Sequence, residues 1–84
     1  MHLAAFPNPA NGVVRVRYML EQTESVRLVL LDVTGRLVTE LVNERQSAGV
    51  HTACWQAACV PAGVYYCRLQ AGTQQSCGRL ELLR

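Results

Sequence analysis

The fold of this 84-residue chain is decided by residues Val26–Val42, which read VRLVLLDVTGRLVTELV. Two apolar runs flank the four residues Asp32–Gly35. Asp favours the first position of a type I turn because its side chain accepts a hydrogen bond from the backbone two residues on. Gly at the fourth position suits the left-handed residue that closes such a turn with a bulge. The stretch therefore predicts a β-hairpin, and Gly35 is expected to have a positive φ.

The first strand of this hairpin is apolar on both faces. Val26, Leu28 and Leu30 alternate on one face of the extended chain, and Val29 and Leu31 lie on the other. A strand with one solvated face would carry polar residues there. We therefore expect a central strand, or one that a neighbour or a partner covers.

The return strand is less regular. Val38 and Leu41 are three residues apart, so strict alternation fails, and a bulge or a strand end near Thr39 is expected. Residues 43–49 are polar and end in Ala48-Gly49, which predicts a loop.

Period-2 patterning between turn signals predicts four further strands, near residues 13–20, 50–55, 64–70 and 78–83, beside hairpin strands near 26–32 and 36–42. No helical period lasts longer than a turn. Six to seven short strands predict a small antiparallel immunoglobulin-like β-sandwich in one domain, residues 1–84. A chain of this length buries only roughly 60–65% of its unfolded surface. With Trp55 at its centre, the expected core is Val14, Val16, Tyr18, Leu28, Leu30, Val38, Trp55, Tyr65, Leu69, Leu80 and Leu82.

Charge and hydropathy exclude two classes of partner. The net charge is +2 and the eight basic residues, all arginines, are scattered along the chain. This is not the footprint of a nucleic-acid-binding protein. No run approaches the ~18 apolar residues that a membrane-spanning segment needs, so none is predicted.

No catalytic, cofactor or metal site is predicted. His2 and His51 lack a partner at metal-ligand spacing. Cys54 and His51 could suggest a nucleophile pair, but residues three apart on a strand point to opposite faces. A sugar-binding aromatic surface is disfavoured because two of three tyrosines fall on predicted inward faces; the three are Tyr18, Tyr65 and Tyr66. We expect no enzyme and no cofactor.

Four cysteines leave the redox state open. Cys54, Cys59, Cys67 and Cys77 are separated by five, eight and ten residues, which is not a zinc spacing. One disulfide and plain thiols both remain possible, with three pairings for four cysteines. Cys67 is expected to be a buried thiol, and the other three are the accessible candidates for pairing.

An ordered set of motifs runs through residues 6–84 and resembles a known family. The motifs are Pro7-Asn8-Pro9, Val16–Leu20, Leu31–Val38 with Asp32 and Gly35, Ala48-Gly49 before Trp55, Pro61–Tyr65, and the apolar tail Leu80–Arg84. The set resembles the type A C-terminal sorting domains of type IX secretion cargo. It is also similar to the Ig-like domain of the flagellar hook-capping protein, a related sequence group.

The resemblance implies a non-catalytic C-terminal module of a larger exported protein in a Gram-negative bacterium. It would carry a covalently linked N-terminal passenger, and the secretion apparatus at the outer membrane would recognise it. The protein would be periplasmic in transit, and then at the cell surface or extracellular. The implied sorting residues are Arg79, Leu80, Glu81, Leu82, Leu83 and Arg84. The implied fold determinants are Asp32, Gly35, Trp55, Gly63 and Tyr65.

Two other functions fit a small sandwich. One is a structural Ig-like spacer or an assembly module of the hook-capping type. The other is a carbohydrate-binding appendage, which should expose an aromatic platform. A sorting domain must be the last module of its gene, whereas a spacer can lie internally.

Overall fold

The computed structural model describes residues 2–6, 12–57 and 60–83, the first of these ranges by its backbone alone. The described chain is all-β. Its strands are β1 (His2–Phe6), β2 (Val13–Leu20), β3 (Glu24–Leu31), β4 (Leu37–Gln46), β5 (Gly49–Gln56), β6 (Gly63–Ala71) and β7 (Gln74–Leu82).

The seven strands form two antiparallel sheets that pack as a sandwich. One sheet has three strands in the order β1-β2-β5, and the other has four in the order β4-β3-β6-β7. The predicted antiparallel β-sandwich is therefore confirmed. Strand β3 lies between β4 and β6, which confirms the central strand expected from its two apolar faces.

The inward faces of both sheets supply the core. Every residue expected in the core is buried except Val38 and Trp55, which are only partly buried and pack against the core cluster. The placement of Trp55 at the core centre is therefore wrong. Trp55 lies on β5, an edge strand of the smaller sheet, where neighbouring strands cover only one side. The centre is formed instead by the fully buried side chains of Tyr18, Leu28, Leu30, Leu69 and Leu80.

The hairpin of β3 and β4 contains two register shifts. Leu28 pairs with Val42 but Val29 pairs with Glu40, and a second shift follows Leu30. The unmatched residues, Leu41 and Val38, flank Thr39, so the expected irregularity at this point is confirmed. A bulge lets residues that break strict alternation face the same side, and accordingly Val38, Leu41 and Val42 all pack against the core.

Three segments differ most from the sequence prediction. Residues 43–46 were expected in a loop but continue β4, because they pair with residues 24–27 of β3 despite their polar side chains. Strand β7 starts at Gln74 instead of residue 78, after a turn at Gly72-Thr73. Strand β1, which pairs with β2, was not among the predicted strands. The Pro7-Asn8-Pro9 motif, Cys59 and Arg84 lie outside the described residues.

Candidate functional site

The candidate sorting residues lie on the last strand, at the edge of the larger sheet. Within the described chain, β7 pairs with β6 alone, with Leu80 opposite Tyr65 and Leu82 opposite Gly63. Leu80 and Leu82 are buried in the core cluster, as expected. They anchor the strand by burying aliphatic side chains, each of which contributes roughly 1.5–3 kcal/mol of transfer free energy.

The opposite face of β7 is open to solvent. Arg79 is exposed and Glu81 is half-buried, and Arg79 Nη2 lies 3.5 Å from Glu81 Oε2. An ion pair this exposed stabilises a fold by at most about 1 kcal/mol. Leu83, which follows the strand, is 44% exposed. The described candidates therefore divide into two buried anchors, Leu80 and Leu82, and an accessible row formed by Arg79, Glu81 and Leu83.

The segment that leads into β6 positions this strand, and β7 pairs with it. The Tyr65 hydroxyl donates a hydrogen bond of 2.6 Å to the backbone carbonyl of Pro61. Gly63, with φ of +151°, has a backbone conformation that residues with a Cβ rarely adopt. The segment Pro61–Tyr65 thus fixes the start of β6, and Gly63 and Tyr65 have structural roles there.

The hairpin turn is closed by one carboxylate. Asp32 Oδ1 accepts hydrogen bonds from Thr34 N at 2.9 Å, Thr34 Oγ1 at 2.6 Å and Arg36 N at 3.0 Å. The Thr34 hydroxyl, followed by the Arg36 amide, lowers the pKa of Asp32 below its usual value. Gly35 has φ of +85°, which confirms the predicted positive value. Asp32 and Gly35 therefore shape the turn.

Histidine and cysteine side chains do not converge on a reactive centre in the described chain. His51 faces inward, stacks on Tyr18 at 5.6 Å between ring centroids, and has Nε2 2.7 Å from the Ser47 carbonyl oxygen. Cys54 is exposed on the opposite face of β5. Among the described residues, no group of three or more His, Cys, Asp or Glu side chains could hold a metal ion.

The three described cysteines are free thiols, one buried and two exposed. Cys67 is buried, and Cys54 and Cys77 are exposed. Burial, and to a smaller degree the neighbouring Cys77, raises the pKa of Cys67 to about 11. The buried thiol is as expected. The exposed pair lie on different sheets, Cys54 on β5 and Cys77 on β7.

The tyrosines do not form a platform for sugars. Tyr18 and Tyr65 are buried, which confirms the predicted inward faces, and Tyr66 is 39% exposed on the larger sheet. Trp55, on the smaller sheet, is half-buried against the core. The aromatic residues of the described chain therefore present no continuous surface.

One feature of the larger sheet could not be located from sequence. Val29 is buried although it lies on the outer face of β3, outside the core cluster. In the sequence, Leu31, which lies on the same face of the strand, indicated that this outer face is apolar. Arg68 of β6 lies directly opposite Val29, and only the strand register reveals that pairing.

A comparison with known protein families finds one that matches this chain. Residues 4–80 match the family model described as the secretion system C-terminal sorting domain. No curated protein matches the chain. None of the described segments forms a helix with the length and hydropathy that a membrane crossing requires. The matched range overlaps each of the seven strands. It ends at Leu80, one of the two buried anchors.

Proposed function

The chain belongs to the family of secretion system C-terminal sorting domains, and we propose that it directs a covalently linked N-terminal passenger through the type IX secretion system across the outer membrane. The observation that carries the proposal is the family match over residues 4–80, which reaches all seven strands of the sandwich. The domain marks the passenger for export and does not catalyse a reaction. It is periplasmic in transit, and then at the cell surface or extracellular.

The strands are divided between the two sheets as they are in an immunoglobulin-like domain. This distribution supports the classification of the sandwich as immunoglobulin-like. The first, second and fifth strands form one sheet, and the third, sixth and seventh belong to the other. The fourth strand pairs with the third. The Tyr65–Pro61 hydrogen bond at the start of the sixth strand, two residues before Cys67, fits the tyrosine corner of such domains. A relation to the hook-capping domain rests on the sequence resemblance.

The secretion apparatus recognises the outer side of β7 and the residues that follow it. Arg79, Glu81 and Leu83 form the accessible row, and the buried leucines hold the row in place. Arg84 lies outside the described residues and joins the segment by its place in the sequence. An edge strand also offers unpaired backbone groups to which a receptor strand can add. The position of β7 and the exposure of Arg79, Glu81 and Leu83 thus support the assignment of residues 79–84 as the recognition segment.

Export of a fused passenger tests the proposal. Residues 1–84 are placed after a signal peptide and a folded reporter, in a host with a working type IX system. Deletion of Leu80–Arg84 should abolish export, but it also removes two buried leucines and costs several kcal/mol. The cleaner variant is Arg79→Ala with Arg84→Ala, and the matched control is Arg15→Ala with Arg17→Ala, because both control arginines are exposed on β2 of the other sheet.

Both double variants should keep the free energy of unfolding within about 0.5 kcal/mol of the parent, as surface changes do. The control should be exported like the parent, and the Arg79 and Arg84 variant less well. Full export of a passenger with the five-residue deletion would rule out sorting and leave a structural spacer. Equal export of the two double variants would remove these arginines from the recognition segment.

A further inference from the structure

The last residues of β7 lie on a part of the larger sheet that is only two strands wide. The pairing of β3 with β6 ends at Leu31 and Tyr66. The pairing of β6 with β7 continues past this point, because residues 63–65 lie opposite residues 80–82. These two short segments form an extension of the sheet in which β6 pairs with β7 and no longer with β3. We call it the two-stranded extension.

The two-stranded extension carries most of the recognition segment. Arg79 pairs with Tyr66, at the last position where β6 still pairs with β3. Glu81 lies within the extension, opposite Val64, and Leu83 follows it in the chain. Two strands alone are marginally stable in water. The positions of Glu81 and Leu83 therefore depend on the contacts that hold the extension against the rest of the sandwich.

Apolar packing supplies the first of these contacts. Tyr65, Leu80 and Leu82 are all buried members of the core cluster, so the inner face of the extension lies on the core. The hydrophobic effect is non-directional. Burial therefore stabilises the extension but does not by itself determine its exact position, for which a directional contact is needed.

The Tyr65 hydroxyl supplies the directional contact. It donates a hydrogen bond of 2.6 Å to the backbone carbonyl oxygen of Pro61, four residues earlier in the chain. The Tyr65 ring is only 7% exposed, so the core holds the donor in place. Since Pro61 precedes β6 and Tyr65 lies within the extension, the bond fixes the chain at the point where it enters the extension.

We propose that Tyr65 is a positioning residue for the recognition segment. Its hydroxyl holds the start of β6 in place, and β6 in turn holds Glu81 and Leu83 in the arrangement that the secretion apparatus recognises. The inference rests on the proposed sorting function. Without the hydrogen bond the extension opens more often, and the apparent affinity of a partner falls with the fraction of molecules in which the extension is closed.

Tyr65→Phe tests the proposal because it removes the hydroxyl and keeps the ring in the core. The matched control is Tyr18→Phe. Tyr18 is also buried, and its hydroxyl donates a hydrogen bond to Gln46 Oε1, which links β2 to β4. Each variant thus loses one tyrosine hydrogen bond, but in the described chain β7 pairs with neither β2 nor β4. Circular dichroism during heating identifies a temperature at which both variants are folded.

Amide hydrogen exchange at this temperature, followed by NMR, measures the opening of the extension without any export assay. Protected amides of residues 80–82 should exchange about fivefold faster in Tyr65→Phe, the effect of losing one ordinary hydrogen bond. In Tyr18→Phe they should keep the parent rates. Amides that exchange only when the whole domain unfolds should respond alike in the two variants. Equal rates at residues 80–82 in the two variants would overturn the positioning role.

Export of a fused reporter shows whether the secretion apparatus uses the order of the extension. At a temperature where both variants are folded, export of Tyr65→Phe should fall at least about twofold, in proportion to the closed fraction. Tyr18→Phe should be exported like the parent. Normal export of Tyr65→Phe despite faster exchange at residues 80–82 would contradict the proposal, and so would an equal loss of export in both variants.

The export outcomes separate this inference from the proposed function. If Tyr65→Phe is exported like the parent while deletion of Leu80–Arg84 abolishes export, Tyr65 does not position the recognition segment and the sorting function stands. If the parent itself is not exported by a host with a working type IX system, the sorting function fails. The inference then fails with it, because there is no recognition for Tyr65 to support.

Discussion

Leu80→Ala measures how strongly the last strand is bound to the sandwich. The Leu80 side chain is fully buried, belongs to the core cluster and lies opposite Tyr65 on β6. Replacing it by alanine removes apolar contacts from both sheets and leaves a cavity that the surrounding strands fill only in part. Leu83→Ala is the matched control, because the same residue type three positions on is 44% exposed.

The expected magnitude is large relative to the stability of so small a domain. Buried leucine-to-alanine changes cost about 2.7–5 kcal/mol. At about 0.05–0.15 kcal/mol per residue, 84 residues give a free energy of unfolding of about 4–13 kcal/mol. The unfolding entropy of a chain this long is about 0.18 kcal/mol per kelvin, so Leu80→Ala should lower the melting temperature by about 15–28 °C.

Circular dichroism during heating and urea titration measures both variants. Leu83→Ala should lose less than about 1 kcal/mol, since nearly half of the Leu83 surface is in water and the residue lies outside the core cluster. Similar losses for Leu80→Ala and Leu83→Ala would refute the inward and outward assignment of the terminal residues. In that case, deletion of Leu80–Arg84 would no longer be expected to destabilise the fold.

Four further outcomes concern Gly35, Trp55 and the cysteines. Gly35→Val should destabilise the domain by more than about 1 kcal/mol, because Gly35 has φ of +85° and a β-branched residue resists that region; an unchanged urea midpoint would contradict the turn. Trp55→Ala should destabilise less than Leu80→Ala, since Trp55 only borders the core, and the reverse order would restore it to the centre. Cys54 and Cys77 should react with iodoacetamide at pH 8 while Cys67 stays protected, because it is buried and its pKa is about 11. As that pKa lies above the unfolded value near 9.0, stability should fall as the pH rises from about 9 through 11.

The interior of the fold could be predicted because local signals and burial agree there. Burial alternates along β2 without exception, and Arg15 and Arg17 lie on its exposed face. The turn at Asp32 and Gly35 contains its own hydrogen-bond acceptor and its own left-handed residue, so no distant contact was needed to place it. The anchors Leu80 and Leu82 followed from the same period.

The edges could not be predicted, because their strands are held by neighbours and not by their own pattern. Residues 43–46 have no apolar alternation, yet the β3 backbone pairs with them. Trp55 was placed by its size, whereas its burial depends on the position of β5 at the edge of a sheet. In the sequence, Arg68 is one of several scattered arginines. Its buried Nε arises from the register with Val29, which the order of residues does not contain.

The sorting role is tested most directly by transfer to a passenger that is not normally exported. Residues 1–84 are fused after a periplasmic protein that has a signal peptide and no sorting domain. The fusion is expressed in two otherwise identical hosts, one with and one without a working type IX system. The account predicts the passenger at the cell surface or in the medium of the first host, and in the periplasm of the second. Retention in the periplasm of both hosts, or equal release from both, would contradict it.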